Sequence, residues 1–135
     1  MRDVFEYALL RVIPRLERGE AINAGVILYC QPRSYLAAHC HLDTERLRAL
    51  DPDADIDGVR RALHAVELVC RAAEDAGPTR HEDAGRRFRW LTAPRSTIVQ
   101  PGPIHTGLTD DPDAEARRLL ELLVHHPTTQ RPAHR

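Results

Sequence analysis

Arg95-Ser96-Thr97 and His105-Thr106 are the polar residues whose types and spacing best suit chemistry. Arg presents a planar fork of donors that matches a phosphate or a carboxylate, and the neighbouring hydroxyls add neutral donors. His titrates near neutral pH and can take or give a proton. Trp90 lies five residues before Arg95, and Arg11 interrupts an otherwise apolar run near the start. A charge in a covered strand needs a partner, which Glu17 or Glu20 would supply. The candidate ligand-binding set is therefore Arg95, Ser96, Thr97, His105, Thr106, Arg11 and Trp90. The alternative gives Arg95 a structural task, stacked on Trp90 or paired with a helix acid, and leaves Ser96 and Thr97 as ordinary strand residues.

Other constellations fall short of a site. Asp53-x-Asp55-x-Asp57-Gly58 opens like a calcium-binding loop, but the twelfth position, where a bidentate Glu belongs, is His64. Carboxylates just before a helix more simply satisfy its free N–H groups. His39 and His41 are two apart on a predicted strand and project from one face. With His105 or His64 as a third ligand they could hold zinc, but the sequence places only two ligands together. No metal and no cofactor is expected. There is no Gly-x-Ser-x-Gly, no Cys beside a His-and-acid pair, and no phosphate-binding glycine loop. All 19 cations are Arg, so Schiff-base and P-loop lysine chemistry is excluded.

The 135 residues are 42% hydrophobic and 29% charged, which predicts one packed domain over residues 1–125. Residues 126–135 contain little to bury and read as a disordered tail. Nineteen cations against 20 anions give no general attraction to nucleic acid or to an anionic membrane. Three widely spaced cysteines, no signal-peptide pattern and no membrane-length apolar run predict a reduced, cytoplasmic protein.

These residues need a scaffold to position them. Residues 5–13, 22–30 and 34–42 are strand-like and separated by turns at Arg18-Gly19-Glu20 and Gln31-Pro32-Arg33, a three-strand meander. Asp43-Thr44 caps a short helix, residues 45–50. Residues 57–76 form the longest helix, with Val59, Ala62, Leu63, Val66, Val69, Cys70 and Ala73 on one face and Gly77-Pro78 as its stop. A further short helix covers 82–91. Residues 96–99 form a fourth strand, bent by Pro101-Gly102-Pro103 and continuing extended over 104–108. Asp111-Pro112 opens the last helix. The predicted fold is α+β: a four-stranded, mainly antiparallel sheet with the helices packed on one face. The Pro-Gly-Pro bend is read as folding the chain back, so that Arg95 and His105 face one cavity.

The segments Tyr7-Ala8-Leu9-Leu10-Arg11-Val12, Arg18-Gly19-Glu20, Asn23-x-Gly-Val-Ile-Leu-Tyr, residues 88–97 and His105-Thr106-Gly107 carry a family likeness. The chain resembles the bacterial domain-of-unknown-function 3037 (DUF3037) family from about Tyr7 to Val124. The resemblance implies no assigned activity, cofactor or catalytic residue, and it points to a HipA-like kinase-fold neighbour as a protein partner. The reading is a cytoplasmic, non-catalytic binding or partner module with an Arg/His site for a small anionic ligand. The alternative is a small metal-independent enzyme acting on a phosphorylated or carboxylated metabolite, with Arg95 as anion clamp and His105 as acid/base. Nucleic-acid binding through Arg86, Arg87, Arg89 and Trp90 is the weaker third reading, because nearby acids dilute the patch.

Overall fold

The computed structural model describes residues 1–73, 76–77 and 81–125. Strand β1 (Asp3–Val12) and β2 (Ile22–Cys30) form the expected antiparallel hairpin. Gly19 in its turn has φ +69°, a conformation that an L side chain resists. A single helical turn at Gln31–Arg33 leads to β3 (Tyr35–Cys40), which pairs with β2 and completes the meander. Register slips once. Leu10 faces Gly25 but Arg11 faces Asn23, so Ala24 is the extra residue of a bulge.

Two features of the predicted sheet are corrected. It has five strands, not four: β4 (Val99–Pro101) and β5 (His105–Thr109) are separate, and both pair antiparallel with β1 along its free side. The helices also occupy both faces. Helix α1 (Thr44–Leu50), α2 (Ile56–Cys70) and α3 (Ala84–Thr92) bury Leu47, Val59, Leu63 and Phe88 against Leu10, Val12 and Ile27. Helix α4 (Pro112–Leu123) buries Ala116 and Leu119 against Phe5, Val26, Leu28 and Cys30 on the other face. The reason lies in β2, which is apolar at consecutive positions and so offers both faces for burial. Burying a side chain such as Phe88 or Leu28, each fully covered, contributes about 1.5–3 kcal/mol.

Local signals set the helix starts. Asp43, Asp55, Asp83 and Asp111 each accept a backbone N–H three residues on, from Arg46, Gly58, Arg86 and Ala114. Helix α2 stops at Cys70, short of the expected Gly77. Arg87 donates from Nε to the Val69 carbonyl (2.9 Å) and from Nη2 to the Cys70 carbonyl (3.3 Å), and Ala72 turns to φ +53°. A cation from α3 thus caps α2. The expected loop at 78–80 and the expected tail at 126–135 lie outside the described residues. Among the described residues no helix is long and apolar enough to cross a membrane.

Candidate binding groove

Trp90 sits in the last turn of α3, half exposed at 50%. Pro94 keeps the chain out of helix, and residues 94–98 form an irregular connection, bent at Thr97 and Ile98, that leads to β4. Arg95 turns back along this segment. Its guanidinium carbon lies 5.0 Å from the Trp90 ring centroid. Nη2 donates to the Trp90 carbonyl and Nε to the Ala93 carbonyl at 3.4 Å. Arg95 therefore both stacks on Trp90 and caps the C-terminal end of α3. The Thr97 hydroxyl donates to the Val99 carbonyl at 2.7 Å.

Trp90, Arg95 and Thr97 form one wall of a groove of about 760 Å³. Helix α2 lines the same groove through Ala62, Ala65 and Val66, together with Leu91 and Val99. The alanines contribute little side-chain volume to this lining. Asp51, Asp53 and Asp55 line the same groove. Asp51 is only 8% exposed, accepts the Asp53 N–H at 3.0 Å and lies 3.7 Å from the Arg15 guanidinium. Asp55 accepts from Gly58 as the N-cap of α2, so the middle carboxylate of the three read as a calcium half-loop does capping work.

The remaining members of the predicted set lie elsewhere. His105 begins β5, opposite Tyr7, and its ring is 5.1 Å from the Tyr7 ring on the α4 side of the sheet. It does not meet Arg95. Arg11 lies between Asn23 and Gln100 in the sheet, with its guanidinium against Gly102. Its expected partners are taken: Glu17 lies 3.5 Å from Arg15 and Glu20 2.7 Å from Arg18. Ser96 is exposed beside the groove, and Thr106 is exposed opposite Glu6. Glu6 receives both Arg89 terminal nitrogens at 2.8 Å each, and this bond raises the Arg89 pKa.

The histidines considered for zinc are dispersed. His39 is 3.2 Å from the Tyr35 hydroxyl, His41 stacks on His125 at 4.3 Å, and His64 meets Glu67 at 3.3 Å. No group of three or more His, Cys, Asp or Glu side chains able to hold a metal occurs among the described residues. Tyr35 donates to Asp113, which also accepts from Arg117 at 2.9 Å. Burial and that bond hold the phenol well above its usual range. Burial pushes the Cys40 and Cys70 thiols up to about 12, so neither is a ready thiolate.

Sequence reasoning found the Trp90–Arg95 wall and missed the α2 wall and Asp51. The unread signal is Ala65, a small residue that joins Ala62 at the margin of the apolar helix face.

The fold and the groove define an α+β domain with an open, apolar-walled cleft rimmed by acids. The chain belongs to the DUF3037 family of proteins of unknown function, whose model matches residues 7–124. No curated protein and no solved structure matches the chain.

Proposed function

We propose that this protein is a non-catalytic binding module whose groove takes a short segment of a protein partner carrying apolar side chains beside a basic one. The observation that carries this reading is the groove itself: about 760 Å³ of mostly apolar wall with three carboxylates among its described lining residues. That volume falls in the range of roughly 300–1,000 Å³ typical of ligand sites. Desolvating the apolar walls supplies affinity, and the acids favour a cation over an anion. Arg95, with two nitrogens engaged on carbonyls, holds Trp90 in place and does not set the sign of the groove. Among the described residues, the ionisable side chains that line the groove are Asp51, Asp53, Asp55 and Arg95, with no His or Cys beside them to act as base or nucleophile.

Trp90 is the only Trp in the chain, so its emission reports on the groove. Capped hexapeptides of Leu with Arg should shift that emission saturably, more weakly as salt rises. The same peptides with Glu in place of Arg should not. Ala65→Phe, at an exposed groove position, should weaken binding about tenfold or more. Equal shifts with both peptides, no shift with either, or unchanged binding by Ala65→Phe would overturn the reading.

A further inference from the structure

The two edges of the sheet differ. β3 forms one edge and is half buried along its whole length, with α2 on one side and α4 on the other. β5 forms the other edge and is hydrogen-bonded to β1 alone. Its outer side meets no strand among the described residues. Open edges invite pairing, and natural sheets blunt them with charged side chains, Pro or bulges. His105–Thr109 reads His-Thr-Gly-Leu-Thr and has none of these, in a chain that is 29% charged. Leu108 is 56% exposed and sits directly across from Val4, itself 57% exposed. Ile104, just before the strand, is exposed as well.

We propose that the outer edge of β5 docks a second copy of this chain, the two β5 strands pairing antiparallel so that two five-stranded sheets become one. Charge argues for a second copy as the occupant. A two-fold edge brings a strand against itself, so any charge on it would face its own like. β5 carries none. Antiparallel pairing with Leu108 opposite Leu108 sets Asp110 and Asp111 of one copy beside Thr106 and His105 of the other, so that the acidic ends stay apart. The exposed Val4 and Leu108 then continue into Leu108 and Val4 of the second copy, an apolar row across four strands. The pairing supplies backbone partners for the open edge of β5 and covers the two exposed side chains together.

Sedimentation velocity over a dilution series tests this on the full chain. The wild type should show a concentration-dependent dimer. Leu108→Lys should weaken the dimer about tenfold or more while keeping the wild-type circular dichroism. Should Leu108→Lys fail to fold, Thr106→Glu, which sets a carboxylate beside Asp110 of the second copy at an exposed position of the same strand, carries the test with the same expectation. Leu122→Lys, exposed on α4 away from this edge, should leave the dimer unchanged. A monomer at every concentration, a dimer indifferent to the β5 substitutions, or a dimer lost on Leu122→Lys would overturn the proposal.

Discussion

Replacing Arg95 with Ala separates the two tasks that an arginine at this position can have. A ligand clamp that touches nothing in the free protein would be lost without loss of stability. The observed Arg95 stacks on Trp90 at 5.0 Å and caps α3 through the Trp90 carbonyl. An exposed cation–π contact contributes about 0.5–1 kcal/mol. A hydrogen bond of this kind contributes about 0.5–1.5 kcal/mol net. The second bond, to Ala93 at 3.4 Å, is long enough to be left out. The expected loss is therefore about 1–2.5 kcal/mol. For a chain of this length that lowers Tm by roughly 3–10 °C. Thermal melts followed by circular dichroism read the loss, and Trp90 emission should move to the red as the ring loses its cover. Arg95→Lys keeps a cation near the ring but not the fork, so it should recover only part of the loss. A melt of Arg95→Ala within about 1 °C of the wild type would refute the capping and stacking argument.

Two further outcomes follow from close packing and from charge. Gly107→Ala should lower stability by about 1–2 kcal/mol in denaturant titrations, because its Cβ would stand 2.7 Å from the ring of buried Phe5; overpacking costs about 1–3 kcal/mol and the reduced chain entropy returns part of it, so an unchanged midpoint would show that the ring does not rest there. The bond from Arg117, and then the one from Tyr35, holds the Asp113 carboxyl below its usual value. A folded pKa below the unfolded value of about 3.9 contributes stability that is present above it and is lost as pH falls through the folded value. The Tm of the wild type should therefore drop more steeply on acidification than that of Asp113→Asn, and parallel acid curves would count against the pair.

Much of the local structure was legible because its signals are local. Asp-initiated helix starts at Asp43 and Asp111 and the Gly19 turn each depend on a few neighbouring residues. The number of strands and the placement of helices were not, because both are decided across the sheet. Residues 22–30 do carry a hint. Val26, Leu28 and Cys30 are as apolar as Ile27 and Tyr29, and a strand apolar on both faces calls for cover on both. The end of α2 was misread for a similar reason. Gly77-Pro78 is a good local stop, but Arg87, from another helix, caps the carbonyls of Val69 and Cys70 first. At the groove, the Trp90–Arg95 contact is five residues long in sequence and was one of the alternatives open from the start. Asp51 and the alanines of α2 join it only through folding.

The Pro101-Gly102-Pro103 segment shows why the predicted Arg95–His105 site does not assemble. A fold-back would have brought the two side chains together. The chain instead follows one line along β1: Val99 lies opposite Val12 and His105 opposite Tyr7. Between them the Gly102 N–H still donates to the Leu9 carbonyl at 2.8 Å. Six steps of the edge chain thus match five steps of β1, so Val99 and His105 stay about 17 Å apart at the usual strand rise. Arg95 lies four residues further back, beside α3. The prolines interrupt an edge strand without reversing it, because neither can donate to the ladder and Gly102 between them can. The same interruption divides the labour of the stretch. Before it, the chain builds the wall of a groove on the α2 side. After it, the chain presents a short, uncharged strand at the edge of the sheet.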